Sequence, residues 1–186
     1  MIPVSPSSHQ KTQDRSIDDS EDDFLHTSIS GVKISRSAHL LGGENIVLKG
    51  GGITIGAGAT IRGDLSSPCN IVVGRGVKIG HNVVIKPPFT ITYTTTPDTP
   101  NTQPQIEKTP AQLQIGSGTV IERNCAINSP KWIGLNVHIG EDSVLNPGVT
   151  VHDNVIILPG SLVPDGMVLA PNSTWEGKPV RLLDIS

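Results

Sequence analysis

Residues 115–180 divide into eleven six-residue blocks without an insertion: IGSGTV, IERNCA, INSPKW, IGLNVH, IGEDSV, LNPGVT, VHDNVI, ILPGSL, VPDGMV, LAPNST and WEGKPV. Ten of the eleven first positions are Ile, Leu or Val, and the last is Trp175. Fifth positions are mostly small or aliphatic, as in Thr119, Cys125, Val137, Ser143, Val149 and Val155; Lys131 is the poor fit. Second positions favour turn-tolerant residues: Gly116, Asn128, Gly134, Gly140 and Asn146. A period of six is neither the 3.6 of a helix nor the 2 of a half-buried strand. It is the period of a β-solenoid with triangular coils, one block to a side.

That geometry assigns a role to each position. The first-position aliphatic and the small fifth-position residue point into a narrow prism, so large and small residues alternate inside. The residue after each aliphatic is expected at a corner, where Gly or Asn accepts positive φ at least cost. Coils stack at strand spacing, about 4.8 Å. One coil has no core of its own, so stability comes from stacking.

Upstream, blocks of six run from Ile55 to Thr90, with an aliphatic first residue in five of six and Ser67 as the exception. At eighteen residues per coil, these make two coils. Short apolar pulses at Ile29–Ile34, Leu40–Leu41 and Ile46–Leu48 read as an irregular first coil. Residues 91–114 hold seven Thr and four Pro and keep no register. Proline gives nothing to a sheet ladder, so this stretch is expected as an excursion from one corner. Residues 1–28 carry six acids against Lys11 and Arg15, a net charge of −4, and read as a disordered acidic tail. The expected organisation is therefore a tail over 1–28 and a solenoid domain over 29–186. Trp175 is too large for a repeating interior and is expected to close the end of the prism.

Composition narrows the function. Aromatic residues are 3%, which suits a thin interior of Ile, Val and Leu. The net charge of −3 gives no overall pull toward nucleic acid. Cys69 and Cys125 have neither metal nor disulfide spacing, and Cys125 falls on an inward position. No apolar run is long enough to span a bilayer, and a cytosolic protein is expected.

The repeat resembles the hexapeptide-repeat proteins, which implies left-handed coiling. Gly177-Lys178-Pro179-Val180-Arg181 is similar to the ending of bacterial hexapeptide acyltransferases and γ-class carbonic anhydrases. Arg62-Gly63-Asp64 is similar to a triplet that supports subunit contacts in the anhydrases. A metal would need converging imidazoles. His9, His26, His39, His81, His138 and His152 contain no H-x4-H pair, so no metal or other cofactor is expected. His81, in IGHNV, resembles the local pattern around an acyltransferase base. A base also needs an orienting carboxylate and an acyl-donor groove, and neither is legible.

A second resemblance covers about residues 30–170. VKISR (32–36), ENIVL (44–48), IRGDL (61–65), VGRGV (73–77) and IKPPF (85–89) succeed one another, and the register resumes with IG at 115, IE at 121 and Cys125. This succession resembles the dynactin subunit 5 family. The resemblance implies a non-catalytic subunit of dynactin's pointed end, cytoplasmic and cytoskeleton-associated, serving dynein–dynactin transport. It implies dynactin subunit 6, the pointed-end actin-related protein, dynactin subunit 4 and dynein adaptors as partners, with no nucleic acid and no membrane insertion. Candidate partner-binding residues are Arg62, Asp64, Arg75, Lys78 and Lys86, with Arg75 and Lys78 at outward positions. The alternative is a hexapeptide acyltransferase using His81.

Overall fold

The inward residues stack into three columns. In the computed structural model, which describes residues 23–65, 71–94 and 105–185, Ile34, Ile55, Ile79, Ile121, Ile139, Ile157 and Trp175 lie side by side on one face. Leu40, Ile61, Ile85, Ile127, Leu145 and Val163 follow one another on a second. Leu48, Val73, Ile115, Ile133, Val151 and Leu169 do so on a third. All of these pairings are parallel, giving a left-handed β-helix of about six coils. Most of the column residues are fully buried. Each such Ile or Leu contributes about 2–3 kcal/mol through area removed from water.

Fifth-position residues fill the space between the columns. Thr119, Cys125, Val137, Ser143, Val149, Val155, Ser161 and Ser173 are all buried. Three of their polar atoms reach the next coil, while the Ser161 and Ser173 hydroxyls donate to carbonyls three residues back, Leu158 and Ala170. The Thr119 hydroxyl donates to the Gly134 carbonyl at 2.9 Å, the Cys125 thiol to Gly140 at 3.2 Å, and the Ser143 hydroxyl to Leu158 at 3.2 Å, each fifteen residues on. A hydroxyl is therefore tolerated inside because a backbone carbonyl, on the next coil or three residues back, accepts it. In the block containing Lys131, the turn comes one residue early at Ser129 (φ 54°), Pro130 is buried and Lys131 stays outside.

The corner differs from the expected one. Positive φ falls on fourth positions, among them Gly118, Asn124, Asn136, Asp142, Gly148, Asn154 and Asn172, and not on the second. The second-position glycines serve another need. A Cβ on Gly116 would lie 2.2 Å from the Gly134 carbonyl oxygen, and one on Gly140 would lie 2.5 Å from the Pro159 nitrogen. Close stacking of coils, not φ, selects glycine there. The fourth-position asparagines repay their left-handed backbone with side-chain ladders up the corner. Asn82 donates to Asn124, and Asn124 to Asp142 at 3.1 Å. On another corner Asn136 donates to Asn154, and Asn154 to Asn172 at 2.8 Å.

Coil length also departs from eighteen. Ile55 pairs with Ile79, 24 residues on, so this coil is one block longer than expected. Its extra residues include a 3-10 turn at Gly63–Leu65. The exceptional Ser67, like Cys69, lies outside the described residues. Ile85 pairs with Ile127, 42 residues on, and that coil holds the excursion. Within the excursion, Phe89–Thr94 and Gln105–Pro110 form an antiparallel ribbon. Leu113–Ile115 is already back in the third face.

Both ends of the first face are closed by antiparallel strands. Phe24–His26, inside the stretch read as disordered tail, pairs with Lys33–Ser35. Residues 1–22 lie outside the described residues. At the other end, Arg181–Ile185 folds back on Ser173–Glu176. Trp175 closes the core there, 9% exposed, and its indole N–H donates to the Ser173 hydroxyl at 2.7 Å.

Candidate interaction surface

The fold separates the five residues marked for partner binding. Arg62 and Lys86 end neighbouring strands of the second face, Thr60–Arg62 and Val84–Lys86. Asp64 follows in the 3-10 turn. The Arg62 guanidinium grips Asp64 through two hydrogen bonds, 2.8 and 2.9 Å, which raises the arginine's pKa and lowers the carboxylate's. Arg62 is thus already engaged. Arg75 stands at the corner between the third and first faces, its backbone tied to Ser117 and Gly118 on the next coil. Lys78 projects from the first face, beside Thr54 and Val120. Both side chains are exposed. The set therefore forms two groups on different sides of the prism.

His81 is half-buried in a hollow of about 140 Å³ lined also by Asp23, Phe24, Ser35, Arg36, Ser37 and Ala57. Here the fold adds what the sequence left out, an acidic residue, Asp23, lining the same hollow as His81. Asp23 arrives through the antiparallel end strand, with its carbonyl accepting the Arg36 N–H at 2.9 Å. The hollow is smaller than the roughly 300–1,000 Å³ of ordinary ligand pockets. The other described histidines are elsewhere. His138 Nε2 is 3.0 Å from Glu122, whose second oxygen accepts the Glu141 backbone N–H. His152 meets the Trp132 ring edge-on. Among the described residues no three His, Cys, Asp or Glu side chains converge as a metal site would require. Burial pushes the Cys125 thiol up to about 11.

Around the base of the ribbon, Lys86, already marked for partner binding, meets residues that the sequence reading did not mark. Leu65, Lys86, Pro87, Pro88, Phe89, Lys108, Pro110 and Ser129 line a hollow of about 330 Å³. The signal was present in the alternation Phe89-Thr90-Ile91-Thr92, hidden by the Thr- and Pro-rich sequence that follows.

The family model of dynactin subunit 5 matches residues 17–183 of this chain. The chain belongs to the dynactin subunit 5 family. The match takes in every coil and the acid-rich approach to the first strand. Similar solved structures include a point mutant of AntD, an N-acyltransferase from Bacillus cereus, crystallised with dTDP and coenzyme A. It is 14% identical, with a TM-score of 0.54, over 88% of this chain and 90% of that one. A hexapeptide transferase family protein from Anaplasma phagocytophilum is 20% identical, with a TM-score of 0.46, over 85% and 82% of the respective chains. At these identities the likeness is one of fold. This chain thus shares its fold with the AntD N-acyltransferase, and the fold alone assigns no activity.

Proposed function

We propose that this chain is a non-catalytic interaction subunit of dynactin's pointed end, contributing to the attachment of adaptors and cargo in microtubule-based transport. The observation that carries this reading is the family match over residues 17–183. The proposed neighbours are dynactin subunit 6, the pointed-end actin-related protein, dynactin subunit 4 and dynein adaptors, in a cytoplasmic, cytoskeleton-associated assembly. The geometry supports it. A solenoid with an apolar prism inside presents only outward positions to partners, and these stack into flat, rigid columns. Flat faces dock side by side with register set by charge. Arg75 and Lys78 are the proposed charged contacts of the corner between the third and first faces. Lys86, with the Arg62–Asp64 pair, is the proposed contact of the second.

The test reverses two charges. Arg75→Glu with Lys78→Glu should leave the melting temperature within about 1–2 °C, because exposed charges contribute little to folding. Recovery of the pointed-end subunits with the tagged chain should fall, and fall further as salt is raised. Unchanged recovery of every such subunit at physiological salt would remove this corner from the interface.

A second reading, an acyltransferase with His81 as base, is favoured by one observation: Asp23 shares the His81 hollow. Incubation with acetyl-coenzyme A and a panel of amino-sugar acceptors decides it. Thiol release that His81→Asn abolishes would support an enzyme. No release above the uncatalysed rate would exclude acetyl transfer to those acceptors.

A further inference from the structure

The ribbon leaves the second face after Pro88 and returns through Pro110. Phe89 stands opposite Pro110, and Ile91 opposite Lys108. Residues two apart in a strand share a face, as do opposed residues across an antiparallel pair. One side of the ribbon is therefore Phe89, Ile91, Lys108 and Pro110, with Phe89 44% and Ile91 43% exposed. The other side carries Thr90, Thr92, Glu107 and Thr109. Such alternation suits a sheet with one covered face, yet this ribbon has two strands only. A two-stranded ribbon is marginal in water, and a third strand is the usual remedy.

The backbone indicates where that strand would go. Ala111 N–H donates to the Pro88 carbonyl at 3.0 Å. This fixes the phase of the ladder: pairs 90/109 and 92/107 bond across it, while the N–H and C=O groups of Phe89, Ile91 and Tyr93 point to the outer edge. Among the described residues, no further strand pairs with that edge. The charged residues that line the two hollows at the base of the ribbon are all lysines, with Glu107 on the opposite side of the ribbon and Asp64 held by Arg62. Lys86 and Lys108 line the 330 Å³ hollow, and Lys131 lines a second of about 210 Å³ that shares Pro88, Phe89 and Ser129 with the first. No Asp or Glu lines either hollow. Lys108 Nζ lies 5.1 Å from the centre of the Phe89 ring.

We propose that the outer edge of Phe89–Thr94 accepts an extended segment of a partner protein as a third strand. Its apolar residues would cover Phe89 and Ile91, and its acidic residues would meet Lys86, Lys108 and Lys131. Backbone bonds supply affinity in this mode, and alternate side chains supply selectivity. The proposal rests on reading the chain as an interaction subunit and names the chemistry of one of its partners.

The experiment uses the full chain and a fluorescent peptide of about seven residues, Val-Thr-Glu-Thr-Val-Thr-Glu, whose valines and glutamates share one face and so both meet the side that carries Phe89, Ile91 and Lys108. Saturable binding is expected, weakening as salt rises. Ile91→Pro removes an outward N–H and spares the inner ladder, so it should weaken binding at least about tenfold with an unchanged circular dichroism spectrum. Lys86→Glu with Lys108→Glu should do the same. The same peptide N-methylated along its bonding edge should bind at least about tenfold more weakly to the wild-type chain, a readout that needs no variant. No saturable binding by the wild-type chain, or equal binding of the N-methylated peptide, would overturn strand addition. Failure here while dynactin subunits still co-purify would remove the ribbon site alone. Failure of the co-purification itself would remove the reading on which it rests.

Discussion

Two kinds of glycine share this sequence, and substitution separates them. Gly116 has no room: a Cβ would sit 2.2 Å from the Gly134 carbonyl oxygen. Gly166 has room, with nothing within 4 Å, but holds φ at +67°. Asparagine takes that conformation at Asn136, Asn154 and Asn172 on the solenoid's own corners. Gly166→Asn should therefore cost less than about 1 kcal/mol, whereas Gly116→Asn should cost several, as overpacking against a neighbouring coil does. Denaturant titration of both variants checks the difference, and equal costs would mean the corner is assigned wrongly. Cys125 gives a second prediction. Its thiol is buried, with a pKa raised to about 11, so at pH 8 it is protonated and screened. In a Cys69→Ser background, a thiol reagent should label Cys125 slowly in buffer and rapidly in denaturant. Rapid labelling of the folded chain would place Cys125 outside the prism.

The side of the prism and the ribbon differ in how much stability they carry. Ile157 is fully buried and the adjacent Ile156 is 43% exposed. Ile157→Asp should cost about 4 kcal/mol or more, because no partner can reach a charge there, while Ile156→Asp should cost less than about 1. Thermal melts of the two variants test the block register directly; a reversed order would shift it by one residue. The ribbon sits outside this core. Replacing residues 90–109 by a linker of about four Gly and Ser should leave the solenoid's melting temperature within a few degrees, since closure cost changes slowly with length. A large loss would mean that the ribbon holds coils together. The sides were legible in the sequence because burial acts on the first and fifth residues of each six, and eleven repetitions make that plain. The corner was misread because Gly at the second position has two possible causes, and only the stacked coil shows which applies. The long coil from Ile55 to Ile79 was hidden because its extra stretch is itself about one block, so the count of six survives it. Asp23 beside His81 was illegible for another reason: an antiparallel strand brings it there, and no repeat predicts that strand.

Among the described residues the molecule is a prism whose first face carries a fold-back strand at each end, with one ribbon standing off its second face. Within the prism each coil contacts its neighbours above and below, so stability is a sum along one axis. The outer columns lie outside the core, so the charged residues proposed as partner contacts can be substituted at little cost to the fold. The site residues were legible only as exposed charges. Their grouping was not, because Arg62 and Lys86 come together through coil stacking while Arg75 and Lys78 turn away round a corner. Family membership, not pocket chemistry, carries the functional reading, so the decisive measurement concerns company. Tagged wild-type chain, purified from cytosolic extract at physiological salt and analysed by quantitative mass spectrometry, should bring down dynactin subunit 6, the pointed-end actin-related protein and dynactin subunit 4 in near-equimolar amounts. Recovery of the chain with none of the dynactin subunits would contradict the account.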